Sequence, residues 1–320
     1  MKIVFTSDLH GRTELYRQAW DYAISESADC LLLGGDLLPT RIANPKVLLH
    51  AEEEDFQVCL RAQIEFIDNF LAEALHQLMH RMTGIRVLYV PGNHDWVCAV
   101  DHLEKTVPEA VNLHKRVFSS GGISFAGYGC VTDSTFWVKD YVRRDSAKDL
   151  YVNSRFALIS VMDRLRFSPE GQYALSHRSM EEELSDFSFA EPGRTVCIFH
   201  CPPYDTGLDT LHNGKPIGSR SVRGFIERVQ PLVSLHGHIH ESPYMSGAFR
   251  TLIGNCLSVN PGHGPSSLHA VSFETGNPEG SLTHSLFNSS APKWDTLERG
   301  ADRRMRKIKS FLMETLLKGR

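Results

Sequence analysis

Five short blocks of potential metal ligands follow apolar runs along this chain, and their placement constrains the fold more than any other feature. The blocks close runs such as KIVFTS, CLLLGG and VLYVPG, a pattern typical of a buried strand that ends in a turn. Because ligands in open α/β sheets gather outside the carboxyl ends of the strands, we expect these blocks to meet in space. The residues concerned are Asp8, His10, Asp36, Asn93, His94, Asp95, His200, His238 and His240.

Carboxylate, amide and imidazole groups in one site favour Mn, Fe, Zn, Co or Ni over a calcium cage or a thiolate site. One such ion takes about four to six ligands, and a carboxylate can hold a separate ion on each oxygen. We therefore predict two divalent ions, with Mn the favoured metal and Asp36 between them. Asp8, His10 and one histidine would lie on one side, and Asn93, His200 and another histidine on the other. Two such ions would make hydroxide from a shared water, which indicates hydrolysis at phosphorus.

The blocks DLH at 8–10, GGD at 34–36, GNHD at 92–95, His200 and GHIH at 237–240 resemble, in the same order, those of the calcineurin-like metallophosphoesterase superfamily. The resemblance implies an α/β fold, a four-layer αββα sandwich of two mixed sheets flanked by helices, over residues 1–290. It also assigns the ligands to two groups. The first is Asp8, His10, Asp36 and His240, and the second is Asp36, Asn93, His200 and His238.

The same resemblance implies that the histidine of GNHD touches the scissile phosphate without binding metal. His94 then becomes the candidate general acid for the leaving oxygen, while a metal-bridging hydroxide attacks phosphorus. We expect Asp95 to orient the ring of His94, since a carboxylate can fix the tautomer of a histidine.

The sequence departs from the protein phosphatases of this superfamily, because GGDLLPT carries no Asp-Arg-Gly and GNHDW has no closing glutamate. HCPPYDTGLD at 200–209 is most similar to small bacterial and archaeal predicted phosphoesterases. A phosphomonoester or phosphodiester is therefore the expected substrate. A nuclease, a cyclic-nucleotide phosphodiesterase and a non-catalytic scaffold on the same fold stay open as alternatives.

The order of elements suggests a core sandwich with two additions. Strands at 2–7, 29–35 and 86–91 alternate with helical segments, including one long stripe from Leu60 to Met82, and a Gly121-Gly122 hairpin follows. From 194 onward, strand-like runs alternate with Gly and Pro turns. Residues 131–190 form a polar insert, predicted to be mostly helical from the spacing of Leu158, Val161, Met162 and Leu165, and either a cap over the site or a peripheral pair. Its candidate substrate contacts are Phe136, Trp137, Arg143 and Arg144.

Residues 291–320 read as a basic amphipathic helix. Nine Lys or Arg against four Asp or Glu from 293 onward give +5, which leaves −9 for the rest of a chain of formal charge −4. We expect this helix to pack on the acidic body or on a second subunit, with a membrane-surface or nucleic-acid contact as the alternative. Nucleic acid is possible but not favoured as a partner.

The composition predicts a cytoplasmic protein without a transmembrane segment. No apolar run approaches the ~18 residues of a membrane span, and the seven cysteines form no CxxC pair, which favours reduced thiols. Cys197 and Cys201 are expected to be buried fillers.

Several other polar residues have a structural interpretation beside a functional one. His76 and His80 are expected on a plain helix face, and His236 is expected beside the ligands without being one. Glu241 is either a hydrogen-bond partner of a ligating histidine or an exposed loop acid. Tyr204, Thr206 and Asp209 either border the substrate or form a turn.

Overall fold

Two six-stranded mixed sheets form the centre of the molecule, which is represented by a computed structural model describing residues 1–40, 53–134, 138–149, 157–168, 172–288 and 290. The strands in chain order are β1 (Lys2–Thr6), β2 (Cys30–Leu33), β3 (Arg86–Tyr89), β4 (Val111–Asn112), β5 (Arg116–Ser120), β6 (Ile123–Tyr128), β7 (Val131–Thr132), β8 (Val142–Arg143), β9 (Ala157–Val161), β10 (Arg164–Ser168), β11 (Thr195–Phe199), β12 (Val233–His236), β13 (Arg250–Ile253), β14 (Cys256–Val259), β15 (Ala270–Glu274) and β16 (Thr283–His284).

Parallel strands occupy the middle of both sheets. The first sheet has the order β16-β15-β1-β2-β3-β4 and the second the order β13-β14-β12-β11-β6-β5. Strands β1 to β4 run parallel, as do β6, β11, β12 and β14, whereas β5, β13, β15 and β16 pair antiparallel with their neighbours. The carboxyl ends of β1, β2 and β3 therefore lie together at one edge, as do those of β11 and β12.

Helices cover both sheets. The helices are α1 (Thr13–Ser25), α2 (Glu53–Phe66), α3 (Ala72–Arg81), α4 (Val97–Thr106), α5 (Gln172–Ser176), α6 (Met180–Leu184), α7 (Arg220–Val229), α8 (Ser242–Ser246) and α9 (Pro278–Ser281), with a π-helical turn at Ile67–Leu71 and a 3₁₀ turn at Pro192–Arg194.

The long predicted stripe is confirmed as α2, the π turn and α3. It buries Leu60, Ile67, Leu71, Leu75 and Leu78. The π turn inserts one wide turn into an otherwise continuous helix, as such turns usually do.

Alternate residues of the strands pack on opposite faces of each sheet. Ile3 and Phe5 join the apolar cluster between the two sheets together with Val196 and Ile198, whereas Val4 joins the cluster beneath the helices. This alternation of two buried faces follows from the period of two in a strand. The result is the helix–sheet–sheet–helix layering expected from the sequence.

The Gly121-Gly122 hairpin is also confirmed. The two glycines join β5 to β6 with φ of 57° and 74°, a left-handed pair that residues with a side chain adopt only at a cost.

The helix predicted through Leu158 and Leu165 is wrong, because residues 157–168 form a β-hairpin. Leu158, Leu165 and Phe167 lie on one face of the hairpin, so the apolar spacing of a helix also fits two short antiparallel strands. Val161 and Met162, predicted to complete the helical stripe, stand near the tip and are 38% and 89% exposed. Helix in the described part of the insert is limited to α5 and α6.

Towards the end of the described chain, Thr283–His284 pair with β15. The predicted C-terminal helix at 291–320 lies outside the described residues, as do Phe136 and Trp137. In the part of the chain that the structure describes, no helix has both the length and the apolar character needed to cross a membrane.

Candidate metal centre

The five ligand blocks meet at the carboxyl ends of the central strands. Asp8 and His10 follow β1, Asp36 follows β2, and Asn93 follows β3 in the first sheet. His200 follows β11, and His238 and His240 follow β12 in the second sheet. Both sheets therefore contribute side chains to one site, which lies where their strand ends converge.

Four side chains form a compact group of possible ligands. One ligand atom each from Asp8, His10, Asp36 and His240 lies within 4.8 Å of the others. The Nε2 atoms of His10 and His240 are 3.3 Å apart, and His240 Nε2 is 3.1 Å from Asp8 Oδ1. Two imidazole nitrogens this close must share a proton or a cation. The donor chemistry fits a divalent transition ion.

Three further side chains lie on the other side of Asp36. His200 Nε2 is 3.5 Å from Asp36 Oδ1 and 3.3 Å from Asn93 Oδ1. His238 lies next to His200, with ring centroids 5.3 Å apart. His10 Nε2 instead approaches Asp36 Oδ2, at 3.8 Å. The two oxygens of Asp36 therefore face different ligand groups.

The backbone around these ligands is unusual. Asp8, His10, Asp36 and His238 all have positive φ, between 48° and 66°. Such conformations in non-glycine residues cost about 1–3 kcal/mol each and cluster at functional sites. Here they let the chain turn sharply at the strand ends.

Backbone hydrogen bonds hold the first two turns together. Asp8 donates to the carbonyl of Gly35 at 2.9 Å, and His10 donates to that of Asp36 at 2.8 Å. Gly92 packs so closely on Asp36 and His200 that a side chain there would collide with both. Close backbone approach therefore brings the ligands of different strands within contact.

The ring of His200 is oriented by a hydrogen bond from its second nitrogen. The Nδ1 of His200 donates to the carbonyl of Gly34 at 2.8 Å, which leaves Nε2 to face Asp36 and Asn93. Ligating histidines commonly donate their second nitrogen in this way.

The charges of the site are compensated by protons on histidine rings. Burial alone would raise the pKa of Asp36, but the rings of His94 and His200 outweigh it and hold that pKa well below its usual range. Burial would lower the pKa of His200, but Asp36 and Asp8 raise it to about 9. The pKa of Asp8 is likewise held low, against the effect of burial, by His240, whose own pKa is raised because the same carboxylate outweighs burial.

Two other rings are kept neutral. Burial lowers the pKa of His10 to about 3 despite the attraction of Asp36. Burial and the charge of His200 lower the pKa of His238 to about 3. Neutral imidazoles offer a free lone pair, whereas the ring of His200, with its raised pKa, would have to release a proton to bind a cation.

His94 lies at the edge of this cluster, with its Nε2 3.9 Å from Asp36 Oδ2. Burial lowers its pKa, although Asp36 opposes this effect. Its Nδ1 is 2.9 Å from the hydroxyl of Thr40, a residue that the sequence did not point to. Nothing in the letters PT at 39–40 signals this contact.

Asp95, which we expected to orient the ring of His94, is hydrogen-bonded to the backbone of the neighbouring loops. Its carboxylate accepts hydrogen bonds from the backbone N–H groups of Gly92, Leu37 and Leu38, at 2.8–3.1 Å. Burial and repulsion from Asp36 raise its pKa to about 7 against the effect of these bonds. Asp95 therefore joins the loop after β2 to the loop after β3.

Gln63 supports the same loop and was also missed. This side chain of α2 is 1% exposed, donates to the carbonyls of His94 (2.8 Å) and Pro39 (3.3 Å), and accepts from the N–H of Trp96 (3.0 Å). A glutamine on a helix in the sequence gives no sign that its partners are more than twenty residues away.

His263 is a third residue missed from sequence. Its buried ring lies 4.8 Å from that of His240 and 5.6 Å from that of His10, measured between centroids. It follows Pro261 and Gly262, and this turn was the sequence signal that could have pointed to it.

Arg143, one of the candidate substrate contacts of the insert, is instead buried within the protein. Its guanidinium is buried and lies 3.4 Å from Glu183, and Arg144 donates to the carbonyl of Ala147. Asp209 is a buried turn residue that accepts from the N–H groups of Asp205, Thr206 and Gly218.

The remaining side chains have structural contacts. Glu241 contacts His212 at 3.8 Å, and His236 is buried between Cys201 and Ser234. His76 pairs with Glu109 on the surface of α3, and all seven cysteines are buried free thiols.

Comparison with known proteins gives a family and a fold. The family model described as "Calcineurin-like phosphoesterase" matches residues 1–242. No curated protein matches the sequence. One solved structure is 18% identical, with a TM-score of 0.53 over 90% of this chain and 99% of its own.

Two further solved structures match with lower TM-scores. The TT1561 protein of Thermus thermophilus is 20% identical over 89% of this chain and 97% of its own, with a TM-score of 0.46. A dimetal phosphatase from Danio rerio is 11% identical over 85% of this chain and 91% of its own, with a TM-score of 0.43.

Proposed function

We propose that this chain, which belongs to the calcineurin-like phosphoesterase family and is therefore a hydrolase of phosphoric ester bonds, works with two divalent ions that share Asp36. Asp8, His10 and His240 would complete the first ion's ligands, and Asn93, His200 and His238 those of the second. The observation that supports this proposal most directly is the position of Asp36, whose two oxygens face separate ligand groups.

When two divalent ions are bound at such a centre, they lower the pKa of water and neutralise charge on the phosphate. The protein residues hold and orient the reacting groups. The positive φ of Asp8, His10 and Asp36 is maintained by backbone hydrogen bonds between neighbouring loops, so the ligands are positioned before substrate binds.

His94 is proposed as the general acid. Its Nε2 is on the side of the ring that faces the cluster. A phosphate bound there would place negative charge beside the ring and so favour its protonated form. The N–H bond then breaks as an O–H bond forms on the leaving oxygen, and the electron pair stays on Nε2.

Manganese is the ion that we propose to test first, because the set of oxygen and imidazole ligands suits it. The substrate is proposed to be a phosphomonoester or phosphodiester. The cytoplasmic location and the packing of the C-terminal helix stay predictions.

The deciding experiment measures hydrolysis of an aryl phosphomonoester and an aryl phosphodiester with added Mn²⁺, with and without a chelator. We expect metal-dependent turnover that falls about 10³-fold or more in Asp36→Ala, since metal charge stabilisation contributes several kcal/mol. The matched control is Asp21→Ala, an exposed carboxylate on α1, which should retain the wild-type rate.

Turnover without metal, or an unchanged rate in Asp36→Ala, would contradict the proposal. If turnover depends on metal as expected, a panel of natural phosphate esters run under the same conditions separates a monoesterase from a nuclease or a cyclic-nucleotide phosphodiesterase.

A further inference from the structure

One hydroxyl group lies between a proposed metal ligand and the proposed general acid. Thr40 Oγ1 is 3.2 Å from His10 Nδ1 and 2.9 Å from His94 Nδ1. The two rings meet edge to face, with centroids 5.1 Å apart and an interplanar angle of 88°. Thr40 is therefore positioned to act on both rings at once.

The other nitrogens of the two rings also converge on a single atom. His10 Nε2 is 3.8 Å and His94 Nε2 is 3.9 Å from Asp36 Oδ2. Each ring thus spans the distance between the Thr40 hydroxyl and the Asp36 carboxylate. Holding both Nδ1 atoms aims both Nε2 atoms at the cluster.

The directions of the two hydrogen bonds follow from the chemistry of the rings. If His10 binds an ion through Nε2, its only ring proton is on Nδ1, so it donates to Thr40. If His94 acts as an acid in its charged form, it carries a proton on each nitrogen, so its Nδ1 also donates to Thr40. A hydroxyl oxygen has two lone pairs and can accept both bonds.

The backbone near this contact is held in place as well. Gln63 donates to the carbonyl of Pro39, which precedes Thr40, and to the carbonyl of His94 itself. The buried side chain of Gln63 therefore binds both segments, the one that carries the Thr40 hydroxyl and the one that carries the His94 ring. These hydrogen bonds stabilise the backbone on both sides of the contact.

We propose that Thr40 is a positioning residue whose hydroxyl accepts from Nδ1 of both His10 and His94 and thereby directs Nε2 of each ring into the site. The inference rests on the proposed function of His94 as the acid. It assigns to a neutral hydroxyl the orienting role that we had expected of the Asp95 carboxylate.

The first test compares three threonine variants. Thr40→Val keeps the shape but removes the acceptor, Thr40→Ser keeps the acceptor, and Thr106→Val removes a hydroxyl of α4 that donates to the carbonyl of His102. We expect Thr40→Val to lower kcat about 10- to 100-fold, the usual effect of losing a partner of a ligating histidine, with KM little changed. Thr40→Ser and Thr106→Val should keep most of the rate.

A second readout separates orientation from general damage. Zinc-loaded protein with ¹⁵N-labelled histidine and inorganic phosphate should show hydrogen-bonded Nδ1 protons for His10 and His94. These signals should persist in Thr40→Ser and disappear in Thr40→Val, while the zinc content of both variants remains that of the wild type.

A double variant identifies which ring matters for turnover. If Thr40 acts through His94, Thr40→Val should lose most of its effect on kcat when it is made in the His94→Ala protein. An equal loss in both backgrounds would overturn the part of the inference that concerns His94 and leave His10 as the ring on which Thr40 acts. A Thr40→Ser enzyme as slow as Thr40→Val would overturn the inference for both rings. If His94→Ala itself keeps the wild-type rate, the proposed function of His94 fails, whatever Thr40 does.

Discussion

Two buried clusters of charge in this molecule differ in what neutralises them. Glu183 of α6 is 8% exposed, and its carboxylate is 2.7 Å from Lys115 Nζ, 3.4 Å from Arg143 Nε and 2.7 Å from the hydroxyl of Tyr128. Asp8 and Asp36 are each 1% exposed, and the side chains nearest to them are histidines. No lysine or arginine is paired with either aspartate in the described part of the chain.

The difference indicates which cluster is structural and which is a site. A buried carboxylate is costly unless it is paired and hydrogen-bonded, and Glu183 has both kinds of partner within the chain. The two aspartates face titratable histidine rings, whose positive charge a divalent ion can replace. A buried charge neutralised only by titratable rings is therefore the better candidate for ion binding.

The largest effect that we expect concerns His94, and it tests whether the cluster around Asp36 is a catalytic site. We expect His94→Ala to reduce the turnover rate by about 10²- to 10⁴-fold, the range for a general acid, because its Nε2 proton is lost. The metal content should stay that of the wild type. Loss of metal in this variant would mean that His94 is a ligand and belongs to the ion-binding group.

Removing Glu183 tests the other cluster, which we interpret as structural. Glu183→Ala is expected to lower the free energy of unfolding by about 3 kcal/mol, because Arg143 stays buried without its partner. The turnover rate per folded molecule and the affinity for Mn²⁺ should not change. Glu181→Ala, an exposed acid on the same helix, is the matched control in urea unfolding.

The contribution of Glu183 to the stability of the fold should depend on pH. Burial alone would raise the pKa of Glu183, but Lys115, Tyr128 and Arg143 outweigh it and lower that pKa from 4.5. A depressed pKa means that the carboxylate stabilises the fold above pH 4.5 and loses this effect as the pH falls through the lower folded value. The stability gap between wild type and Glu183→Gln should therefore narrow in acid, and a constant gap would argue against the ion pairs.

The smallest expected effect is the release of protons when the metal centre fills. Because the pKa of His200 is raised to about 9, Mn²⁺ binding near neutral pH should release about one proton or more. Affinity should consequently increase with pH up to about 9, where that proton is already lost. Calorimetry in two buffers of different ionisation enthalpy measures this number, and no release would contradict the charge balance described here.

Local patterns accounted for much of the fold and for the composition of the site. Strands β1, β2, β3, β11 and β12 were predictable because each is an apolar run followed by a turn, and the direction of parallel strands brings their ends together. The insert was not predictable from the same signal. Leu158 and Leu165 have helical spacing, but they also fall on one face of a hairpin, and only contacts such as Gln57 with the backbone of Leu165 select the hairpin.

The sequence by itself determined which residues could bind ions, because it shows both the type of each side chain and its place at the end of a predicted strand. Only the tertiary structure decided how those residues are oriented. The partners of Asp95, His94 and Gln63 are backbone groups and a hydroxyl from other segments, and such partners carry no signature in the sequence. Hydrogen bonds of this kind depend on distances of a few ångströms between loops, which the packing of the two sheets sets.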